Sequence, residues 1–432
     1  MTSTDPIVRH GLARVDHVLE VPIDRSHPQG GSTHVFAREV WSAGAERAAL
    51  PALLFLQGGP GGTAPRPRVK DRWLGAAVER HRVVLLDQRG TGRSDPIDVA
   101  APWTDAAGRP LDAAALAARL AHYRADAIVA DAEDLRRALL GDDGRWTLLG
   151  QSYGGFVALT YLSNYPDALV GVLVAGGVPS LDRPALEVYR STYRTLLGKI
   201  RAHERRYPGD LARWRALAAH VAEREDASAD GRRATPLQVA YLGNLLGSST
   251  GPDVLHELLE RALVGEGARA ALSTPGRRAL EAAQPFGASP IYAALHESIY
   301  AQGAATEWAA ARAHAELASE WPDELPRAHA EMVLPELFDG VPELRPLRGA
   351  AELLARQGDW PALYDPATLE RNRVPVAAVA YADDLYVPLA FAQETAARVP
   401  NVRLWVTNEI EHDGLRAEGA RVFARLQELL VA

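Results

Sequence analysis

Cysteine is absent from this chain of 432 residues. Disulfides, thiol nucleophiles and thiolate metal sites are therefore excluded. Lysine is nearly absent too: Lys70 and Lys199 are the only two, and the other basic residues are arginines. That skew reads as codon bias. No stretch approaches the roughly 20 apolar residues that a membrane span needs. The N-terminus, MTSTDPIVRHG, has neither an apolar core nor a cleavage signal, so a soluble cytoplasmic protein is expected. A concentrated basic surface is missing as well. Net charge is −8 with charged residues spread along the chain, which gives no reason to expect a nucleic-acid partner. What is present is a 47% hydrophobic content, enough for a sizeable core, over a length that allows about two or three domains.

Residues 14–41 alternate as strands do, with SHPQGGS between two runs, and predict an antiparallel pair. Two buried runs follow, PALLFLQGGPGG and HRVVLLDQRGTGRS, each ending in a glycine loop. DAIVADAEDLRRALLG is an amphipathic helix with Ile128, Val129, Leu135 and Leu139 near one face, and GVLVAGGVPS is a further strand. Buried strands alternating with helices predict an α/β fold, a mostly parallel sheet covered on both faces. From about residue 184 to 368 the chain is helix-like, with no convincing strand, and predicts an all-helical cap inserted into the α/β core of 1–183 and 369–432. The buried-strand format returns in VPVAAVAYADD and NVRLWVTN, and GARVFARLQELLVA closes the chain as a helix. Both ends of the insertion follow or precede strand ends where ligands bind in such sheets.

The chemistry centres on RWTLLGQSYGG, a strand, a sharp turn and then a helix, with Ser152 at the apex of G-x-S-x-G. In such a turn the residues two places either side of the serine lie against the neighbouring strand and helix, so glycine is needed there. A serine hydroxyl needs a base, and the base needs a carboxylate that fixes its tautomer. Asp384 follows the strand ending at Tyr381, and His412 follows the strand ending at Thr407, in the order Ser, Asp, His. Asp383 competes for the acid; Asp384 is preferred because it stands four residues before Pro388, where the next helix begins. For the developing oxyanion, the expected donors are the Tyr153 N–H and one from the loop Gln57–Gly62, Gly58 first and Gly59 second.

Two rival chemistries fail. Gly59 to Ala64 fits G-x-G-x-x-A and Asp87 mimics a ribose-binding acid, but Pro65 and Pro67 stand where the phosphate-binding helix should start. His296-Glu297 is followed by Tyr300 where a zinc motif needs its second histidine. Neither metal nor cofactor is expected.

Taken together, LQGGPGG, DQRGTGRS, GQSYGG and NEIEHDG, with the late Asp384, resemble the proline iminopeptidases (prolyl aminopeptidases) of the α/β-hydrolase class, and most closely their longer bacterial branch. Gln57 stands where shorter members have the histidine of H-G-G-P-G. The resemblance implies hydrolysis of N-terminal proline from peptides with a free N-terminus, through an acyl-enzyme on Ser152. It also implies cap carboxylates that bind the substrate amine. Glu297, in LHESIYAQ, resembles the family's E-x-x-Y element, and Glu331 sits in the otherwise apolar AEMVLPELF; these two are the candidates.

Overall fold

Ten strands form one sheet, and what places the site is the way their residues alternate between two cores. The computed structural model describes residues 1–98, 101–105, 107–224, 233–265, 267–282 and 286–432. The strands are β1 (Thr2–Ser3), β2 (Ile7–Arg9), β3 (Leu12–Pro22), β4 (Ser32–Ser42), β5 (Ala52–Leu56), β6 (Arg82–Asp87), β7 (Trp146–Gln151) and β8 (Leu169–Ala175), with β9 (Leu263–Val264) and β10 (Ala271–Leu272) as a separate pair, then β11 (Val376–Tyr381) and β12 (Val402–Thr407). The main sheet runs β1-β3-β4-β6-β5-β7-β8-β11-β12, with β2 also on β3. Strands β3 and β4 form the antiparallel pair predicted, in register from Leu12↔Ser42 to Pro22↔Ser32. From β6 to β12 all pairings are parallel.

Those central strands read as unbroken apolar runs because both of their faces are covered. Leu54, Leu56, Leu148, Val172, Val174 and Ala378 pack on one face, beneath the helices Ala125–Leu140 and Tyr153–Asn164. Leu53, Phe55, Leu149, Leu173, Ala377 and Val379 pack on the other, against Trp73, Val422, Phe423 and Leu426. The apolar stripe of the last helix, Gly419–Val431, thus closes the second core.

The chain leaves β5 toward β6 on one side and returns to β7 on the other. The strand order therefore reverses between β5 and β7, and such a switch point opens a crevice at the carboxyl ends of the strands. Ser152 and the Gln57–Gly62 loop lie at those ends.

Between β8 and β11 the chain builds a second body with its own core. Tyr189, Tyr193, Leu196, Trp214, Leu255 and Trp321 are among its buried residues. The expectation of an all-helical insertion needs one correction, since β9 and β10 pair antiparallel within it. Two residues per strand are too few for alternation to register in sequence. The helix Ala113–Leu120 also leaves the core to pack on the insertion, where Gly349 passes close to Ala113. No helix among the described residues is long and apolar enough to cross a membrane.

Candidate active site

Steric necessity explains the turn at Ser152. The serine has φ 55° and ψ −126°, a region that L-residues rarely adopt. A Cβ on Gly154 would lie 1.9 Å from the Leu56 carbonyl oxygen, and one on Gly150 would lie 2.3 Å from that of Gly154. Only glycine lets β5, β7 and the following helix approach this closely. The Ser152 N–H donates to the Ala175 carbonyl at 2.9 Å, which ties the apex to β8.

The strand ends bring three expected residues together. His412 Nε2 stands 2.9 Å from Ser152 Oγ, and His412 Nδ1 stands 2.8 Å from Asp384 Oδ2. The other Asp384 oxygen accepts the N–H groups of Tyr386 at 2.9 Å and Val387 at 3.0 Å. With both oxygens engaged, the carboxylate has a single orientation. It receives Nδ1–H and leaves Nε2 to accept the serine proton. Asp383 is exposed and lines a different cavity, with Arg205 and Arg206. Burial pushes the His412 imidazole down, but the Asp384 charge and hydrogen bond, reinforced by Glu331 and Asp413, outweigh it, and the net pKa is raised. Tyr386 packs edge-on against the imidazole at 4.7 Å.

The two oxyanion candidates on the β5 loop separate cleanly. The Gly58 N–H donates to Gln57 Oε1 at 2.9 Å, while Gln57 Nε2 donates to the Thr63 carbonyl at 3.1 Å. Gln57 thus braces the loop end to end and occupies the first donor. Gly59 has no hydrogen-bond partner for its N–H among the described residues, and its φ of 127° belongs to glycine. Tyr153, at the first position of its helix, offers an N–H that no intrahelical carbonyl reaches. Gly58 serves another end: a Cβ there would come within 2.9 Å of the Ser152 Cβ.

The two cap glutamates have different partners. Glu331 lines the cavity of about 870 Å³ that also holds His412, Gln151 and Tyr386, and its side chain is 26% exposed. Its carboxylate lies 3.8 Å from His296 Nε2, whose other nitrogen meets the Tyr189 hydroxyl at 2.8 Å. Glu297 is buried, and its two oxygens accept the N–H groups of Ala309 at 3.0 Å and Ala310 at 2.8 Å. Those are the first two residues of the helix Ala309–Leu317, so Glu297 caps that helix. Burial raises its pKa against the opposing effect of these bonds. No group of three metal-ligating side chains suited to an ion occurs among the described residues.

Sequence reasoning missed the residues that hold this arrangement in place. Arg89 of DQRGTGRS is buried and donates to Asp131 at 2.6 Å and to the carbonyls of Ile23 and His122. Asp87 of the same motif accepts the N–H groups of Ala64 and Arg93 and pairs with Arg66. The motif is therefore scaffolding under the β5 loop. Two cap side chains grip the residues flanking His412: Lys199 Nζ donates to Glu411 at 2.7 Å, and Ser249 donates to Asp413 through its N–H at 2.9 Å and its hydroxyl at 2.7 Å. The rarity of lysine was the one signal that could have marked Lys199.

Known proteins resemble this chain over its whole length. The alpha/beta hydrolase fold family matches residues 51–233. A proline iminopeptidase of Aeromonas sobria is 42% identical over 99% of this chain and 99% of its own length. The chain belongs to the proline iminopeptidase family. A second member of this family, from Aspergillus aculeatus, is 31% identical and covers 94% of the chain and 91% of its own length. A crystal structure of the proline iminopeptidase of Mycobacterium smegmatis covers 96% of this chain and 97% of its own, at 16% identity and a TM-score of 0.47.

Proposed function

We propose that this proline iminopeptidase family member is a serine exopeptidase that releases N-terminal proline from peptides with a free amino terminus. The observation that carries the reading is the relay Ser152–His412–Asp384, with contacts of 2.9 and 2.8 Å, in a chain with a 42% identical full-length relative of that name. Ser152 Oγ attacks the prolyl carbonyl carbon while His412 Nε2 takes its proton. The oxyanion points to the N–H groups of Gly59 and Tyr153, which have no acceptor among the described residues, whereas Gln57 occupies that of Gly58. His412 then gives the proton to the leaving nitrogen, and the C–N bond breaks. Water attacks the prolyl ester with His412 again as base, and proline departs.

Glu331 binds the cationic amine, since it lies in the same cavity as His412 and a charge taken out of water needs a partner. Glu297 supports the reaction indirectly by holding the helix Ala309–Leu317.

A panel of aminoacyl p-nitroanilides tests the reading. Proline p-nitroanilide should be cleaved fastest, and Ser152→Ala should lower its turnover by about 10⁴-fold or more. Equal turnover of several aminoacyl arylamides would point to a broader aminopeptidase. Rapid ester cleavage with no prolyl arylamide turnover would point to an esterase and sink the proposal.

A further inference from the structure

If Glu331 takes the amine, the peptide beyond the scissile bond is left with the rest of the cavity lining. The charged residues there are Arg66, Arg68, Asp71, Arg72, Asp413 and Arg416. Three of the six are committed. Arg66 pairs with Asp87 and donates to the Ala64 carbonyl. Asp413 is held by Ser249 and by Arg416 at 3.2 Å. Arg68 and Arg72 are exposed, and neither has an ion pair or side-chain hydrogen bond among the described residues. The uncommitted groups are thus two guanidinium ions and the single carboxylate of Asp71.

The segment that carries them is rigid for a loop. Pro65 and Pro67 fix their own φ and limit the residues before them. Arg66 is anchored on Asp87, and Trp73 stacks on Phe55 at 4.6 Å. Arg72 has φ 49°, a costly conformation for a non-glycine residue that persists only where its surroundings impose it. Charges held on a stiff segment lose little freedom on binding, and a guanidinium matches a carboxylate in a bidentate fork.

We propose that Arg68 and Arg72 form a carboxylate subsite for the leaving part of the substrate. It favours short peptides whose C-terminal carboxylate reaches the cavity mouth, or peptides with an acidic side chain there. The proposal rests on the prolyl exopeptidase reading. A dipolar cavity, with Glu331 for the amine and the two arginines for the carboxylate, suits a short zwitterionic peptide.

The test compares kcat/KM for Pro-Gly-Gly with that for Pro-Gly-Gly-amide, and for Pro-Asp-Gly-amide with Pro-Asn-Gly-amide. Proline p-nitroanilide serves as the substrate without a carboxylate. The acid is expected to exceed its neutral counterpart by about three- to tenfold in at least one pair. The pair that shows it identifies the terminal or the side-chain carboxylate. Raising the salt from about 20 mM to about 500 mM should shrink that ratio. In Arg68→Gln/Arg72→Gln it should fall to about one, and in Arg68→Glu below one, with thermal midpoints showing that the variants fold. Arylamide turnover with ratios near one in both pairs, or a ratio that survives in the double variant, overturns the subsite. No arylamide turnover at all overturns the underlying reading instead.

Discussion

The triad residues of the core and the contacts the cap makes beside them are held by different means. In the core, position comes from backbone: Ser152 is set by its own φ and ψ, and Asp384 by two N–H groups two and three residues on. The cap reaches the residues beside His412 over long range, through Lys199 to Glu411 and Ser249 to Asp413, which join residues 212 and 164 apart in sequence. Backbone-set groups keep their geometry as long as the sheet is folded. Side-chain tethers can be cut singly without unfolding anything. On the proposed mechanism bond making falls to the core and selection to the cap, and each can be tested separately.

The largest expected effect lies in the core. Asp384→Asn would leave His412 in the wrong tautomer and lower kcat by about 10⁴-fold in prolyl arylamide assays. Asp383→Asn, one residue away, should stay within about twofold, and a large loss there would reassign the acid.

Glu331→Gln comes next. It should reduce kcat/KM for amine-bearing substrates by about 10–100-fold, and much less for an N-acylproline ester. The pH profile adds a second readout with a definite sign. In the proposed mechanism neutral His412 is the base, and against the lowering effect of burial its pKa is raised by Asp384, Glu331 and Asp413. The acid limb should therefore sit above the ordinary imidazole value of about 6.5. Removing the Glu331 charge destabilises the imidazolium and should move that limb to lower pH. Glu297→Gln should instead lower the thermal midpoint, because an amide presents only one acceptor oxygen to Ala309 and Ala310.

A smaller loss is expected from the tethers. Lys199→Met with Ser249→Ala, which removes two side-chain donors and leaves the Ser249 N–H on Asp413, should slow fluorophosphonate labelling of Ser152 by a fewfold. Labelling at the wild-type rate would mean that these two side-chain bonds do not help to place His412.

The last contrast is in acid stability. Burial pushes His329 down to about 3, and its Nδ1 meets the Tyr193 hydroxyl at 3.0 Å. A depressed folded-state pKa means that stability is present above the unfolded value of about 6.5 and is lost as pH falls toward 3. In the core, Glu39 is held at about 2; burial opposes this, but His17 and Arg47 outweigh it. Its contribution is lost only below about 4.5. The cap should therefore loosen first on acidification, and His329→Phe should delay it, with tryptophan fluorescence as the measurement. Simultaneous loss of both parts in the wild type would deny the cap its separate stability.

What was readable in sequence follows the same division. Ser152, Asp384 and His412 were legible because short apolar strands announce where their carboxyl ends lie, and the chemistry sits one to five residues beyond. The choice between Gly58 and Gly59 was not, because it depends on where the Gln57 amide folds back. The bonds that hold Glu297 were hidden for a related reason: an E-x-x-Y pattern does not reveal that a helix N-terminus twelve residues on will claim the carboxylate. The tethers and the β9–β10 pair left no periodic trace at all.

The two tethers also bear on traffic. With Glu411 and Asp413 held on either side of His412, the cap cannot lift far without dragging the general base off Ser152. On that reading the cap is a wall, and substrate and products share the cavity that Arg68 and Arg72 line. Release becomes ordered: the shortened peptide must clear that mouth before water can reach the prolyl ester, and proline leaves last.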